Sequence, residues 1–396
     1  MRLLDRMQSC PQITALPRRM NQINTDIVFK LGDRLPANVY GRLSEGGRPM
    51  LLLAAGKKIE TEHQLQILHE AGFTVIWTLG KQKGVTKAKQ VEKPGPTASF
   101  GDRLEYGMKL RRTINDAIKD LNGRIHAGES PQFTSMLALS EMVANDVASD
   151  PQAFSAIAYL SRCDDYTVEH SADVSILMVA IGRVLGVSDD WVQELALAGL
   201  LHDVGKQMVP PEILQKSGPL TESEFKVIRR HPEYGMRILA DWNQCPVGVT
   251  DVAFQHHERL DGTGYPLGCV RNMLHPYSLM AAVADAFDAM TANRCYHVGT
   301  SARHALTQLY SSRDSKYDRD AVDALIKLVG AYPIGTRVRL STGEAGVVVE
   351  PNFDAPAYPI VEVDTHPSGR PMPVKYRVRL NSETCWIVET DDDSPA

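Results

Sequence analysis

The longest part of the chain carries apolar residues at helical spacing. Between Phe100 and Val329 apolar positions recur every three or four residues nearly throughout. One stripe consists of Leu104, Met108, Leu110, Ile114, Ala117, Ile118 and Leu121, and another of Ile176, Val179, Ala180, Val184 and Leu185. Because this spacing puts such side chains on one face of a helix, we expect an all-α domain over residues 100–330.

The flanking segments have other patterns. Before Gly80, glycines and prolines punctuate short apolar runs at Met50–Ala55 and Thr74–Thr78, and Thr61–Ala71 has helical spacing. After Tyr332, apolar residues alternate with charged ones, which is typical of strands. The predicted organisation is a poorly ordered lead (1–24), a small accessory α+β module (25–80), a lysine-rich linker (81–99), the helical domain (100–330), a small β extension (331–390) and an acidic tail (391–396).

Composition and charge exclude several classes of protein. With 43% hydrophobic and 23% charged residues over 396 positions, the chain is neither collagenous nor largely disordered. A formal net charge of -5 disfavours a protein that coats DNA or RNA. The six cysteines form no CxxC pair, no secretory signal precedes them, and no apolar run approaches the roughly 18 residues of a membrane helix. We therefore expect a cytoplasmic protein without membrane insertion.

Ionisable residues at the end of an apolar helix are the first indication of a functional site. The predicted helix Trp191–Lys206 is strongly apolar, yet it ends in His202, Asp203 and Lys206. Burial of such groups is costly unless they are paired or bind a metal. For this doublet alone, a core histidine beside an aspartate cap is the favoured interpretation.

Further histidines and aspartates in the same domain change that balance. His170 lies in another apolar helix, and His231 follows a helix with a Thr221–Glu224 capping box. His256 and His257 precede a glycine-rich turn, and Asp285 lies one turn before Asp288. Imidazoles with carboxylates suit iron, manganese or zinc, and the lack of cysteine ligands argues against structural zinc. We therefore predict a metal site, in which Asp288 and Glu258 orient ligand histidines rather than bind metal.

Two motifs resemble those of a known family. His202-Asp203 with Gly205-Lys206, followed by HHERLDGTGYP at 256–266, is similar to the HD-GYP subfamily of HD-domain metal-dependent phosphohydrolases. The phrases YTVEHS at 166–171 and VADAFDAMTANRCY at 283–296 extend the resemblance over about residues 100–329. The resemblance implies a phosphodiesterase that hydrolyses cyclic di-GMP to pGpG or GMP with two metal ions, iron or manganese.

The resemblance also implies roles for individual residues. One ion would be held by His170, His202, Asp203 and Asp285, and the other by Asp203, His231, His256 and His257. Asp203 would bridge the ions, which activate a water between them. Lys206 would reach the scissile phosphate, Arg294 the far side of the nucleotide, and Gly264, Tyr265 and Pro266 would shape the pocket.

Several alternatives stay open at this stage. Another nucleotide could be the substrate, or the protein could be a receptor that binds cyclic di-GMP without turnover. A homodimer or a signalling-protein partner is also compatible with the sequence. Some relatives hold a third ion with a glutamate four residues before the first histidine. That position is Tyr166 here, which predicts two ions rather than three.

Overall fold

A computed structural model describes most of the chain after residue 97. The described residues are 37–41, 50–53, 74–77, 95, 98–129, 133–160, 166–216, 218–242, 245–292, 299–352, 355 and 357–390. Side chains are described from residue 95 onward, except at 159–160, 166–168 and 272. The predicted lead, acidic tail and 61–71 helix, and nearly all of the linker, lie outside these residues.

The centre of the chain is helical, as the periodicity predicts. The α-helices of this region are α1 (Phe100–His126), α2 (Phe133–Ser149), α3 (Pro151–Leu160), α4 (Tyr166–Val184), α5 (Asp189–Leu201), α6 (Pro211–Leu214), α7 (Glu222–Ile228), α8 (His231–Ala240), α9 (Val247–Gln255), α10 (Pro276–Thr291), α11 (Ala302–Ser311) and α12 (Arg319–Val329). Short 3₁₀ turns occupy Val204–Met208 and Arg271–Met273. The mainly α fold is confirmed, and no described helix is long and apolar enough to cross a bilayer.

Helix α4 lies at the centre of the domain. It packs against α1, α2, α3, α5, α10 and α12. Its residues from 170 to 182 are all buried, so its apolar character is not confined to one face. Helices α5 and α10 are similarly enclosed. These three helices form a close-packed frame, and a side chain that projects from them is held in a fixed position.

The buried face of α1 differs from the predicted apolar stripe around residue 108. Met108 was expected on the buried stripe, but it is 41% exposed. Gly107 and Arg111 are buried instead. A Cβ atom at Gly107 would lie 1.9 Å from the Ile157 side chain, so α1 approaches α3 closely at this glycine. The prediction for Met108 was wrong because spacing alone does not decide which edge of a stripe faces the core.

Two antiparallel sheets flank the helical domain in the sequence. The first has the order β2-β1-β3 and consists of β1 (Ala37–Gly41), β2 (Met50–Leu53) and β3 (Thr74–Trp77). The second has the order β7-β6-β5-β4-β8 and consists of β4 (Arg337–Leu340), β5 (Ala345–Glu350), β6 (Ile360–Thr365), β7 (Pro371–Arg379) and β8 (Ile387–Thr390). The second sheet has its own small core around Val348, Val361 and Val363, and it confirms the β extension.

A backbone contact joins the turn after α5 to α8. A Cβ atom at Gly205 would lie 2.0 Å from the carbonyl oxygen of His231 and 2.3 Å from the backbone nitrogen of Gly235. Only glycine allows this approach, because the neighbouring atoms belong to backbone that cannot rotate away. Gly205 therefore allows the segment around Asp203 to pack directly against the segment around His231.

We expect Gly205→Ala to lower the free energy of unfolding by about 1–3 kcal/mol, because the new methyl group overpacks a rigid contact. Urea denaturation measures the change. Gly123→Ala is the matched control, since a Cβ atom there meets no heavy atom within 4 Å and the residue lies in α1. The control should be neutral or stabilising by up to about 1 kcal/mol. Equal stability of the two variants would contradict the close contact at Gly205.

Candidate metal centre

The structure brings all seven predicted metal ligands into two adjoining groups. His170, His202 and Asp285 form one group, and the other consists of Asp203, His231, His256 and His257. Within each group the candidate ligand atoms all lie within 4.8 Å of one another. Six of the seven residues are buried, and the side chain of His257 is 17% exposed. The groups therefore form one enclosed centre with an opening near His257.

Helix ends bring most of these residues together. His202 and Asp203 directly follow α5, and His231 is the first residue of α8. His256 and His257 follow α9, where the helix ends before the glycine-rich turn. His170 and Asp285 instead project from within α4 and α10. The two enclosed helices and the three helix ends thus converge on the same space.

Asp203 lies between two pairs of histidines. Its Oδ2 atom is 3.4 Å from Nε2 of His170 and 3.3 Å from Nε2 of His202. Its Oδ1 atom is 3.3 Å from Nε2 of His231 and 3.6 Å from Nε2 of His256. Each carboxylate oxygen therefore faces one pair of imidazole rings, an arrangement suited to bridging two cations.

Asp285 makes a second link between the two groups. Its Oδ1 atom is 3.2 Å from Nε2 of His170, and its Oδ2 atom is 3.5 Å from Nδ1 of His257. Burial disfavours ionisation of Asp285, but His170 and His257 outweigh it and hold its pKa well below the usual value. The carboxylate is therefore ionised at neutral pH.

The other nitrogen of each buried histidine is already hydrogen-bonded to an acceptor. Nδ1–H of His202 donates to the Gly199 carbonyl at 2.8 Å, and Nδ1–H of His231 donates to the Ile228 carbonyl at 2.8 Å. These acceptors fix the tautomer, so that Nε2 carries no proton in the neutral ring.

The same pattern holds for the remaining two buried rings. Nδ1–H of His256 donates to the Val252 carbonyl at 3.0 Å, and Nδ1–H of His170 donates to Oδ2 of Asp288 at 2.6 Å. Burial, partly offset by Asp203, lowers the pKa of His256 to about 4, so this ring is neutral at pH 7. The prediction that Asp288 orients a histidine is confirmed.

These tautomers leave electron pairs facing each other. Nε2 of His170 is 3.1 Å from Nε2 of His202, and Nε2 of His231 is 3.2 Å from Nε2 of His256. Oδ1 of Asp203 is also buried, and no described residue forms a hydrogen bond with it. A bound divalent cation accounts for all of these atoms at once, since each would be a ligand. The donor set therefore fits divalent ions of the first transition row.

Burial works against the ionised form of Asp203, but Lys206 and His202 outweigh it. Together they keep the pKa of Asp203 well below its usual value. The Lys206 ammonium donates to Oδ2 of Asp203, and its side chain is 17% exposed. Lys206 thus lies on the more exposed side of the Asp203 carboxylate, where an incoming anion would meet it.

A buried arginine supports the His170 helix from α1. Arg111 makes two hydrogen bonds to Asp173, at 2.6 and 2.5 Å, and a third to Glu169 at 3.3 Å. Both carboxylates lie within one turn of His170 on α4. Sequence analysis did not identify this group, although an arginine beside Leu110 on an apolar stripe was a usable signal.

The glycine-rich turn folds over His257. The Tyr265 ring stacks on the His257 ring, with 4.6 Å between centroids and 29° between planes. The guanidinium carbon of Arg229 lies 4.5 Å from the Tyr265 centroid. A Cβ atom at Gly264 would lie 2.4 Å from the Glu258 Cα atom, so this close fold requires glycine. Pro266 continues the same turn.

Glu258 has a different role from the one predicted. Its carboxylate accepts hydrogen bonds from the backbone N–H groups of Leu267 at 2.7 Å and Cys269 at 2.9 Å. The expectation that it orients a ligand histidine was wrong. The sequence offered no sign of this, because the bonds connect residues nine and eleven positions apart across a folded turn. Glu258 instead fixes the conformation of the turn that carries Tyr265.

Two residues named in the sequence predictions cannot be placed. Arg294 falls in the 293–298 gap of the described residues, and the side chain of Tyr166 is not described. The predicted contact of Arg294 with substrate and the argument from Tyr166 on the number of ions stay predictions.

Comparisons with known proteins agree with this chemistry. The HD domain profile matches residues 141–321. A cyclic di-GMP phosphodiesterase of Pseudomonas aeruginosa is 33% identical over 322 residues, covering 78% of this chain and 77% of that protein. A cyclic di-GMP phosphodiesterase of Thermotoga maritima is 34% identical over 229 residues, covering 55% of this chain and 62% of that protein. A 3'3'-cGAMP-specific phosphodiesterase of Vibrio cholerae is 31% identical over 172 residues, covering 41% of this chain and 38% of that protein.

We expect Asp288→Ala to weaken metal binding by about 10- to 100-fold, because His170 loses the acceptor that orients its ring. Competition with a chromophoric chelator measures the affinity. Asp146→Ala is the control, since Asp146 is a buried carboxylate that accepts from the Tyr106 hydroxyl at 2.8 Å and belongs to neither ligand group. Equal metal affinity in the two folded variants would show that Asp288 does not support the centre.

Proposed function

This chain belongs to the HD-GYP branch of the HD-domain phosphohydrolases, and on that premise we propose that it hydrolyses cyclic di-GMP to pGpG, GMP or both. The observation that carries the proposal is the position of Asp203 between two histidine pairs, with each oxygen facing one pair. This arrangement is what a two-metal hydrolase of phosphodiesters requires. The names of the relatives in Pseudomonas aeruginosa and Thermotoga maritima support the same substrate.

We further propose that the centre holds two divalent ions, iron or manganese. His170, His202, Asp203 and Asp285 would hold one ion, and Asp203, His231, His256 and His257 the other. Imidazole and carboxylate ligands without thiolate are compatible with either metal. When bound, two such ions would neutralise the phosphodiester charge and lower the pKa of a water molecule between them.

The protein residues around the centre would bind and orient the substrate. Lys206, on the exposed side of Asp203, would bind a non-bridging oxygen of the scissile phosphate. The turn with Gly264, Tyr265 and Pro266 would form one wall of the pocket, since it folds over His257. Arg294 is proposed to contact the far side of the nucleotide, on the resemblance alone.

A second cyclic dinucleotide is the main alternative substrate. One similar protein of Vibrio cholerae is named as a phosphodiesterase specific for 3'3'-cGAMP. Two metals and a lysine bind any phosphodiester, so discrimination must come from contacts with the bases. A receptor without turnover is disfavoured, because all seven ligand-type side chains are present and face one another.

We expect Asp203→Ala to abolish turnover of cyclic di-GMP, because it removes the carboxylate proposed to bind both ions. The assay follows cyclic di-GMP, pGpG and GMP by chromatography with protein purified anaerobically and supplied with iron or manganese. Asp116→Ala, which changes an exposed aspartate of α1, is the control and should retain activity. Retained activity in Asp203→Ala would reject the proposed site, and binding without turnover in the wild type would favour the receptor.

Elemental analysis of protein prepared without chelator should approach two ions per chain. The family position that supplies a ligand for a third ion is Tyr166 here, and a neutral phenol is a poor ligand for such cations. Glu169 is not a substitute, because it bonds to Arg111 at 3.3 Å. A reproducible content near three, with anomalous scattering beside Tyr166, would contradict the binuclear assignment.

A further inference from the structure

A cation stands at the opening of the metal centre on the His257 side. Arg229 follows the last residue of α7 and precedes His231 by two positions. Its guanidinium carbon lies 4.5 Å from the centroid of the Tyr265 ring and 5.7 Å from that of Phe225. Because Tyr265 stacks directly on His257, Arg229 is separated from a metal-ligand candidate by a single ring.

Arg229 differs from the other cations around the centre. Lys206 is bonded to Asp203. Arg259 donates to the carbonyl oxygens of His256 at 3.2 Å and Glu258 at 2.8 Å, and it also lies over the Tyr317 ring. Arg229 has ring contacts but no ion pair with any acid in the described part of the chain. Stacking occupies the face of a guanidinium, whereas its five N–H groups point outward in the plane.

Helix geometry alone does not explain the position of Arg229. A cation near the carboxyl end of a helix is favourable, but neighbouring Arg230 serves that purpose equally well. Arg230 is exposed and lies over the Tyr234 ring, whereas Arg229 lies over Tyr265. The placement of one of two adjacent arginines on Tyr265 therefore needs a separate reason.

We propose that Arg229 binds the second, unreacted phosphate of the cyclic dinucleotide. This inference rests on the proposed function. A cyclic dinucleotide carries two phosphodiesters, and only one of them can lie at the metal centre during hydrolysis. The other carries a full negative charge that needs a partner close to the opening. A planar guanidinium with free N–H edges, fixed over Tyr265, offers paired hydrogen bonds to phosphate oxygens.

The experiment compares two substrates that differ in the number of phosphates. Cyclic di-GMP has two phosphodiesters, and bis(p-nitrophenyl) phosphate has one. We expect Arg229→Ala to lower kcat/KM for cyclic di-GMP by about tenfold to a hundredfold, chiefly through KM. Hydrolysis of bis(p-nitrophenyl) phosphate and the metal content should be unchanged. Arg229→Lys should recover part of the loss, because it keeps the charge without the planar pair of donors.

Arg230→Ala is the matched control, since it removes the same charge one residue away. Equal effects of Arg229→Ala and Arg230→Ala on cyclic di-GMP would overturn the proposal. An equal loss on both substrates in Arg229→Ala would also overturn it, because Arg229 would then only hold Tyr265 and His257 in place. Wild-type protein that hydrolyses bis(p-nitrophenyl) phosphate but not cyclic di-GMP would instead reject the proposed function. In that case, equilibrium dialysis measures the affinity of the Arg229→Ala and Arg230→Ala variants for cyclic di-GMP. Equal affinities would overturn the proposed role of Arg229.

Discussion

Two pairs of histidines lie on either side of the buried Asp203 carboxylate. Within each pair the two Nε2 atoms face each other, and neither carries a proton, because the ring proton is on Nδ1. Neutral rings in these tautomers repel one another at about 3 Å unless positive charge lies between them. The Nε2 separations of 3.1 Å for His170 and His202 and 3.2 Å for His231 and His256 make this constraint explicit. The buried Oδ1 atom of Asp203 adds to this constraint, because no donor in the described part of the chain bonds to it. The surrounding helices have to hold these atoms together against their mutual repulsion.

The helix ends contribute to that task. The last carbonyl groups of a helix have no intrahelical donor, and two of them here accept the Nδ1–H groups of candidate ligand histidines. His202 bonds to Gly199 near the end of α5, and His231 bonds to Ile228, the last residue of α7. Near the end of α9, the Val252 carbonyl accepts both the backbone N–H and the Nδ1–H of His256. At α5 and α7 one contact thus supplies a donor to a helix-end carbonyl and fixes the tautomer of a candidate metal ligand. His170, which lies inside α4 and has no such carbonyl, uses Asp288 of α10 instead.

The sequence was informative where ionisable residues interrupt an apolar helix. Histidines and aspartates in otherwise apolar helices marked all seven candidate ligands, and one-turn spacing placed Asp288 beside Asp285. It was uninformative where a role depends on contacts between distant segments. Arg111 reaches Asp173 over 62 positions, Arg229 meets Tyr265 only after the turn folds, and Glu258 bonds to backbone rather than to a side chain. Charge and spacing alone do not specify such partners.

We infer that the folded protein holds these nitrogen and oxygen atoms together as cation ligands. The most direct test is the free energy of unfolding of metal-free protein in urea, with and without added Mn²⁺. We expect stabilisation that grows with Mn²⁺ concentration, by about 2.7 kcal/mol at a hundredfold excess over Kd, because only the native state presents the assembled ligands. If the free energy of unfolding stays the same when Mn²⁺ is added to protein prepared without metal, these atoms do not bind the cation.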